Sequence, residues 1–449
     1  MDSTSQRSPM FPAELIQLFI DHLAPDNYDQ PLTSFQRRDL ASCGLVSASF
    51  YTASRKHLFS TVKILYKPDE RREAPFVLDD ILSANPKLQE HVRHLIIMVS
   101  RRHSKLRENS ELVRGGGSGA MEGEYLSHLV GLVPALRKLS IENTYSQALR
   151  PGFGAILDKL RASCPDLHHL RIVHLDVPLS FILQWTNITD LEIHYTGLLE
   201  RHYSKQNTVI PTHSTSSPPI IRLTIGESVF YHHLLQKSLD LTRLRYLHLS
   251  PTLLEDDREW GLLDNTFPVL NHLSLYHAFK VLAPWHLQYT LCDSKFPALD
   301  VIEINEDVET RRPFPYIVDA LAPKEGTFSI RHVKITLEAG RPQEFLDLLD
   351  KQHQRWAEAD TAWTSAQYYS LTMVSIHCTF RFATPFDSIK DQEKLQLVIN
   401  CAHRLLPRVS SSSIILDFSV KLHFTNFIFG WDSRTGVMTG TPYAIFSRS

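Results

Sequence analysis

Pro268-Val269-Leu270-Asn271-His272-Leu273-Ser274-Leu275 is the stretch from which the fold is read. Leu270, Leu273 and Leu275 stand at i, i+3 and i+5. The last two alternate with polar residues, the pattern of a short strand with one buried face. The same apolar-x-x-apolar-x-apolar phrase returns along the chain as Val92/Leu95/Ile97, Leu136/Leu139/Ile141, Leu167/Leu170/Ile172 and Ile188/Leu191/Ile193. It continues as Ile220/Leu223/Ile225, Leu244/Leu247/Leu249 and Leu299/Ile302/Ile304. Looser copies are Ile330/Val333/Ile335, Leu371/Val374/Ile376 and Ile415/Phe418/Val420, and Phe59/Val62/Ile64 reads as a first one. Starts are separated by as few as 21 residues (Leu167 to Ile188) and as many as 44 (Val92 to Leu136). Pro134, Pro165, Pro268 and Pro297 each stand two residues ahead of a copy, where proline ends a helix and imposes an extended approach.

Helical spacing fills several intervals: Leu126, Leu129, Val130, Val133; Phe153, Ile156, Leu157, Leu160; Phe345, Leu348, Leu349; Leu395, Val398, Ile399. Strand, helix, strand repeated in one direction gives parallel strands with helical crossovers. Self-similarity at this period predicts a solenoid. The phrase resembles the leucine-rich repeat, which implies a curved array with one sheet wall. The Asn or Cys that such repeats carry three residues after the last apolar position is replaced by Thr144, Leu175, Thr196, Ser228, Thr252, Ala278, Asp307, Glu338 and Thr379, so unequal repeats are expected. Residues 101–124, with Gly115 to Gly119, and 203–219, rich in Ser, Thr and Pro, read as loops. Phe427-Ile428-Phe429 and Val437-Met438 predict a closing hairpin around Asp432 to Gly436.

Ahead of the array, residues 1–9 are polar and residues 10–59 form a separate head. Pro12 suits a first helical turn. Leu15, Leu18, Phe19, His22 and Leu23 then line one face of a helix, and Leu40, Cys43, Val46 and Phe50 repeat the spacing after a polar interruption. So short a segment buries little core and calls for a partner. Pro12-Ala13-Glu14-Leu15, Leu45-Val46, Phe50-Tyr51 and Leu58-Phe59 give it a resemblance to the F-box, a helical module that docks on the adaptor Skp1 of cullin-RING ubiquitin ligases. Phe50 stands where that family often has Trp, and Ala24 to Arg38 is long for a minimal F-box. The fold class expected is therefore α/β: a small all-α head, then an irregular leucine-rich-repeat solenoid over residues 60–449 with a parallel sheet.

Composition narrows the function. A formal net charge of −2 argues against a nucleic-acid binder that neutralises phosphates. No run of 18 apolar residues predicts a membrane span, and no apolar h-region predicts a secretory leader. Cys43, Cys164, Cys292, Cys378 and Cys401 are scattered without a CxxC pair, which fits a reducing, intracellular setting, cytoplasmic or nuclear. Asn187-Ile188-Thr189 is then a chance sequon. Gly115 to Gly119 lacks the Gly-Lys-Ser/Thr of a phosphate loop, Gly116 to Ala120 does not complete GxSxG, and there is no HExxH. Acidic runs such as Asp256-Asp257 read as solvated faces. No catalytic residue, cofactor or metal is assigned.

Histidine is the unusual count, at 23. Residues flanking the apolar strand positions face outward on the wall, and these include His94, His169, His194, His248, His272, His332 and His377. With Lys138, Asp190, Arg222 and the residues named next, they mix both charge signs with aromatics, which suits a protein ligand. Arg171, Glu192, Tyr246, His248, His272, Tyr276, Glu303 and Lys334 are the candidate target-binding residues. Pro12, Leu15, Leu45, Val46, Phe50 and Leu58 are the candidate Skp1-docking residues. The combination implies a substrate-recognition adaptor. An interaction scaffold without a ubiquitin role and a metal-dependent hydrolase built on the histidines are the competing readings.

Overall fold

A computed structural model describes residues 12–24, 32–66, 74–99, 131–148, 162–176, 182–183, 185–194, 218–226, 239–250, 267–276, 296–307, 327–340, 342–351, 353–382, 405–424, 427–432 and 437–442, with a few single positions between. Residues 1–11, the loop residues 101–124 and 203–217, the glycine run, the helical pattern at Phe153 to Leu160, Asp256-Asp257, Cys292 and Cys401 lie outside them. The chain divides into two compact units, Met1–Pro218 and Pro219–Ser449.

The first unit opens on three helices: α1 (Ala13–Leu23), α2 (Ser34–Gly44) and α3 (Ala48–Leu58). Pro12 is the residue before α1, and its carbonyl accepts from the Leu15 and Ile16 amides. Thr33 and Gln36 form a capping box on α2, and Ser47 caps α3 through Phe50 N. Val46 therefore lies in the turn between two helices, not on one continuous helix with Leu40 and Phe50. Ile16, Ile20, Leu40 and Ala53 make the core, with Leu23, Leu32, Cys43, Phe50 and Leu58 packed around it. The stripe Leu15, Leu18, Phe19 is not the core face; α1 is apolar on two sides and buries the other. Asp21 of α1 ties down α3, accepting from His57 Nε2 at 2.7 Å and lying 3.0 Å from Lys56 Nζ.

Strand β1 (Thr61–Tyr66) follows directly, then α4 (Ala74–Ala84), the short α5 (Pro86–Gln89) and β2 (His94–Val99). Strands β3 (Lys138–Ala148), β4 (His169–Asp176) and β5 (Asp190–His194) continue the parallel sheet in chain order. The phrases stack in register: Val62, Leu95, Leu139, Leu170 and Leu191 are consecutive partners. A bulge after Glu142 shifts the β3–β4 register, and His174 beside it takes a positive φ of 53°.

The second unit repeats the plan with β6 (Arg222–Gly226), β7 (Tyr246–Ser250), β8 (His272–Tyr276), β9 (Val301–Asp307), β10 (His332–Ala339), β11 (Met373–Phe382) and β12 (Ile415–Phe424), all parallel. Helices α6 (Pro342–Lys351) and α7 (His353–Trp363) separate β10 from β11, and α8 (Pro407–Ser411) precedes β12. Strands β13 (Phe427–Asp432) and β14 (Val437–Pro442) pair antiparallel to end the sheet, the hairpin read from the sequence. Within residues 203–219, Pro219 already bridges to Asp240 and belongs to the array rather than to a loop. The last copy needs a correction of two residues. Leu416 and Phe418 pair with Val374 and Ile376, so the phrase there is Ser413/Leu416/Phe418, and Ile415 is 54% exposed.

Two backbone devices recur along the described rungs. A residue just before a strand accepts from two amides of the next rung: Arg93 from Arg137 and Lys138, Arg137 from His168 and His169, Arg245 from Asn271 and His272, Asn271 from Asp300 and Val301. Earlier in the rung a four-residue turn closes by Leu136 N to Val133 O, Leu167 N to Cys164 O, Ile188 N to Trp185 O, Leu270 N to Phe267 O and Leu299 N to Phe296 O. Pro134, Pro165, Pro268 and Pro297 hold the second position of these turns, where a fixed φ is favourable. Each turn starts from a buried anchor, so the repeat is one apolar position longer than its phrase: Val133, Cys164, Trp185, Phe267 and Phe296 are all under 5% exposed. Phe267 and Phe296 stack at 6.0 Å. Burial pushes the Cys164 thiol up to about 12, so this cysteine acts as a small hydrophobe. Asn187 of the sequon donates to the Pro165 carbonyl across neighbouring turns, a structural employment.

In β10 and β11 the strands run on past the phrase and bury further residues where a regular repeat carries its Asn ladder. In β10, Val333, Ile335, Leu337 and Ala339 are all buried, and β11 carries Cys378 and Phe380 inward past the phrase. The architecture is an irregular leucine-rich-repeat solenoid of parallel strands.

Candidate interaction surfaces

Two kinds of surface stand out, and the head has the more unusual one. Its small core cannot cover all the apolar side chains it carries. Leu15, Leu18 and Phe19 of α1, Phe35 of α2, Leu45 and Val46 of the connecting turn, and Tyr51 of α3 all face solvent. Leu45 is 90% exposed and Val46 70%. These seven are most of the large exposed hydrophobics among the described residues. Large exposed apolar side chains concentrated on so small a head are the feature to be explained. Of the candidate docking residues, Pro12, Leu15, Leu45 and Val46 are exposed, whereas Phe50 and Leu58 are half-buried and pack on the head core. Phe50 meets Phe19 edge-on at 6.1 Å and thereby supports the exposed face from beneath. Leu18, Phe19, Phe35 and Tyr51 share this exposure without belonging to the candidate docking set; for Leu18 and Phe19 the two-sided apolarity of α1 is the available signal.

The second surface is the outward face of the sheet, taken unit by unit. In the first unit it centres on Glu192. His169 Nε2 lies 3.0 Å from one carboxylate oxygen; Arg171 Nε at 3.6 Å and His194 Nε2 at 3.9 Å approach the other. Glu142 stands 3.9 Å from Arg171 on its other side. Burial alone would raise the Glu192 carboxyl, but His169, Lys138 and Arg171 outweigh it and hold the group at about 2. Nearby, His94 is buried with its Nε2 bonded to Ser140 Oγ at 2.9 Å. Burial first, then Lys138, His169 and Arg171, depress this imidazole to about 3.

In the second unit the corresponding acid is Glu303. Lys334 Nζ donates to it at 2.7 Å and His272 Nε2 lies at 3.3 Å. His272 first, and Lys334 after it, hold Glu303 at about 2 against the effect of burial. Tyr246 sits between Arg222, whose guanidinium is 4.3 Å above its ring, and His272, whose ring centre is at 4.8 Å. Thus Tyr246, His272, Glu303 and Lys334 are brought together, and so are Arg171 and Glu192. His248 instead pairs with Ser274 at 2.9 Å, and Tyr276 is aligned with Asn305 of β9.

The histidines have a common use. His94–Ser140, His248–Ser274, His332–Ser375 and His377–Ser419 are hydrogen bonds from one strand to the next. His169 and His272 instead lie within ion-pair distance of glutamates on the next strand, at 3.0 and 3.3 Å. Imidazoles paired across strands are engaged in holding rungs together, and among the described residues no three His, Cys, Asp or Glu gather as a metal site would require. Nor is any described helix long and apolar enough to cross a membrane.

His94 makes the sheet sensitive to acid. Its folded pKa lies well below the ordinary imidazole value of 6.5, so below pH 6.5 the unfolded chain binds a proton that the folded one refuses. Stability is then lost as pH falls. His57 is depressed in the same direction, chiefly by burial. Between pH 7.5 and 5.5, His94 alone is expected to remove about 1.4 kcal/mol. Urea unfolding of wild type and His94→Gln at the two pH values checks this, and an undiminished pH dependence in the variant would refute it.

No family model matches the chain, and no curated protein matches it. Among solved structures it is similar to the leucine-rich repeat-containing protein LegL7 from Legionella pneumophila, at 10% identity over 84% of this chain and 92% of that one, with a TM-score of 0.39. It is also similar to a chain of the Rad7 and Elc1 complex in yeast, at 13% identity over 76% of this chain and 89% of that one, with a TM-score of 0.29.

Proposed function

We propose that the chain is a target receptor for an SCF-type cullin-RING ubiquitin ligase: the head docks on Skp1 and the sheet wall holds a protein to be modified. The exposed apolar side chains of Leu15, Leu18, Phe19, Leu45 and Val46 carry this reading, because a three-helix head with its own core, and with α2 and α3 capped, leaves them uncovered. The wall supports the second half. It mixes ion pairs, imidazoles and a stacked tyrosine, which suits a protein surface better than a polyanion. Catalysis would belong to other subunits, and this chain would supply proximity between target lysines and the ligase.

The test is reconstitution. Purified full-length chain and recombinant Skp1 are mixed and run by size exclusion, and a one-to-one complex is the expected result. Folded chain that elutes alone would overturn the ligase reading and leave an interaction scaffold, in which the head only shields the first rung.

A further inference from the structure

The start of β12, the last parallel strand of the second unit, has no successor among the described residues. From rung to rung the carbonyl just ahead of a strand takes amides of the next. Asp300 accepts from Arg331 and His332, Arg331 from Thr372 and Met373, and Thr372 from Ile415. Ile414 holds that place ahead of β12, and no described residue donates to its carbonyl. The Ile415 amide bonds toward β11, so the alternation of a parallel ladder turns the amide and carbonyl of Leu416 the other way. Strand β13 pairs with β12 only from Ser419 to Phe424 and leaves these groups without a partner among the described residues. The side chains match. Ile415 is 54% exposed, and Leu416 is half-buried although Val374, Val333 and Ile302, its partners along the row, are fully buried. Ser413-Ile414-Ile415-Leu416 carries neither the lysine nor the proline that blunts an edge strand.

We infer that the edge from Ile414 to Leu416 is a docking site for a short extended segment of the bound target protein, added as a parallel strand beside β12. The inference rests on the target-receptor reading and names the kind of contact the second unit makes. Main-chain donors and acceptors lined up along a strand edge are met by another main chain in extended conformation. The parallel direction continues the rungs: two amides of the segment take the Ile414 carbonyl as those of Arg331 and His332 take that of Asp300. Alternation sets one side chain of the segment beside Ile415 on the outward face and the next over Leu416, so adjacent aliphatic residues fit. The hairpin sets the length. Asp432 faces Ser419, which leaves room for about five residues, roughly 15 Å of strand, ahead of it. That shortness favours a target segment over a second copy of the chain, because two such edges fall far below the about 1,200–2,000 Å² that a stable pair buries.

Hydrogen exchange on the full chain, localised to single amides by mass spectrometry, tests this with a defined probe, the peptide acetyl-Lys-Thr-Val-Val-Thr-Lys-amide. In the free chain the Leu416 amide is expected to exchange rapidly while that of Ile415, bonded to Thr372, is protected. The peptide should slow Leu416 about threefold at two-thirds occupancy. The same peptide N-methylated at both valines cannot form the ladder and should leave Leu416 unchanged. Ile415→Lys should weaken the peptide about tenfold while the melting temperature stays as it was, since that side chain already stands largely in solvent. Slow exchange of Leu416 in the free chain at every dilution would mean that another segment of this chain covers the edge. Slow exchange that dilution relieves would mean a second copy. Either result overturns the proposal, as does equal exchange with and without peptide, or equal slowing by the N-methylated one. Skp1 capture is read on the head and this assay on β12, so the two readings fail separately: capture without protection removes the strand site alone, and protection without capture removes the ligase role alone.

Discussion

Leu45→Asp with Val46→Asp is expected to abolish capture of Skp1 while leaving the melting temperature of the chain unchanged. Both side chains already stand in water, at 90% and 70% exposure, so charging them costs the isolated fold almost nothing. In a complex, each would force a carboxylate into an apolar interface. Losing two buried aliphatic anchors removes about 3–5 kcal/mol, a weakening of about 10²- to 4 × 10³-fold before any charge penalty. Isothermal titration of the variant with Skp1, beside its thermal melt, gives both numbers. Capture at wild-type affinity would show that the α2–α3 turn is not the docking surface. Phe50→Asp is a poor substitute, because Phe50 packs on Ile16, Ile20, Leu40 and Ala53, and charging it would unfold the head as well as blunt it.

A second large effect is expected deep in the other unit. Asp360 of α7 is 2% exposed, and its two carboxyl oxygens accept from the Arg408 and Val409 amides at 2.9 and 2.8 Å. Those amides begin α8, where no helical partner exists for them. One side chain thus fixes the approach to β12 from a helix 48 and 49 positions earlier. Asp360→Ala strands both donors in a protein interior beside Trp356 and Trp363, at a cost of about 3–4 kcal/mol. Asp360→Asn keeps one acceptor and should lose about half as much. Urea midpoints rank the two variants, and hydrogen exchange at residues 408–420 locates the damage. An alanine variant as stable as the asparagine one would show that water replaces the carboxylate without loss.

The parallel solenoid was legible because its dominant signal is local. Leu273 and Leu275 must both point inward, and a two-residue period says so without knowledge of neighbours. The turn anchors were not, since Val133, Cys164, Trp185 and Phe296 share burial but no chemistry, and each is separated from its phrase by a turn. Serine-rich residues 410–413 before two isoleucines and a leucine allow two strand registers; only pairing with β11 selects the one that exposes Ile415. The candidate surfaces divide similarly. Outward positions such as His272 and Glu303 follow from alternation. Their partners do not, because His272 meets Glu303 across strands 31 positions apart. On the head, Leu15 and Ile16 are equally apolar neighbours, and only the packing of α3 decides which is covered.

The bifurcated carbonyls at Arg93, Arg137, Arg245 and Asn271 have a further consequence, for how such a chain can change over time. Each new rung is positioned by main-chain groups of the rung before it, whatever side chains those residues carry and however much sequence intervenes. Doubling the intervening length adds only about 0.6 kcal/mol of closure entropy. Starts 21 and 44 residues apart therefore dock alike. Insertions and deletions between rungs are close to neutral for such a scaffold, which leaves the connecting segments open to acquire new contacts while the strand faces keep their registration.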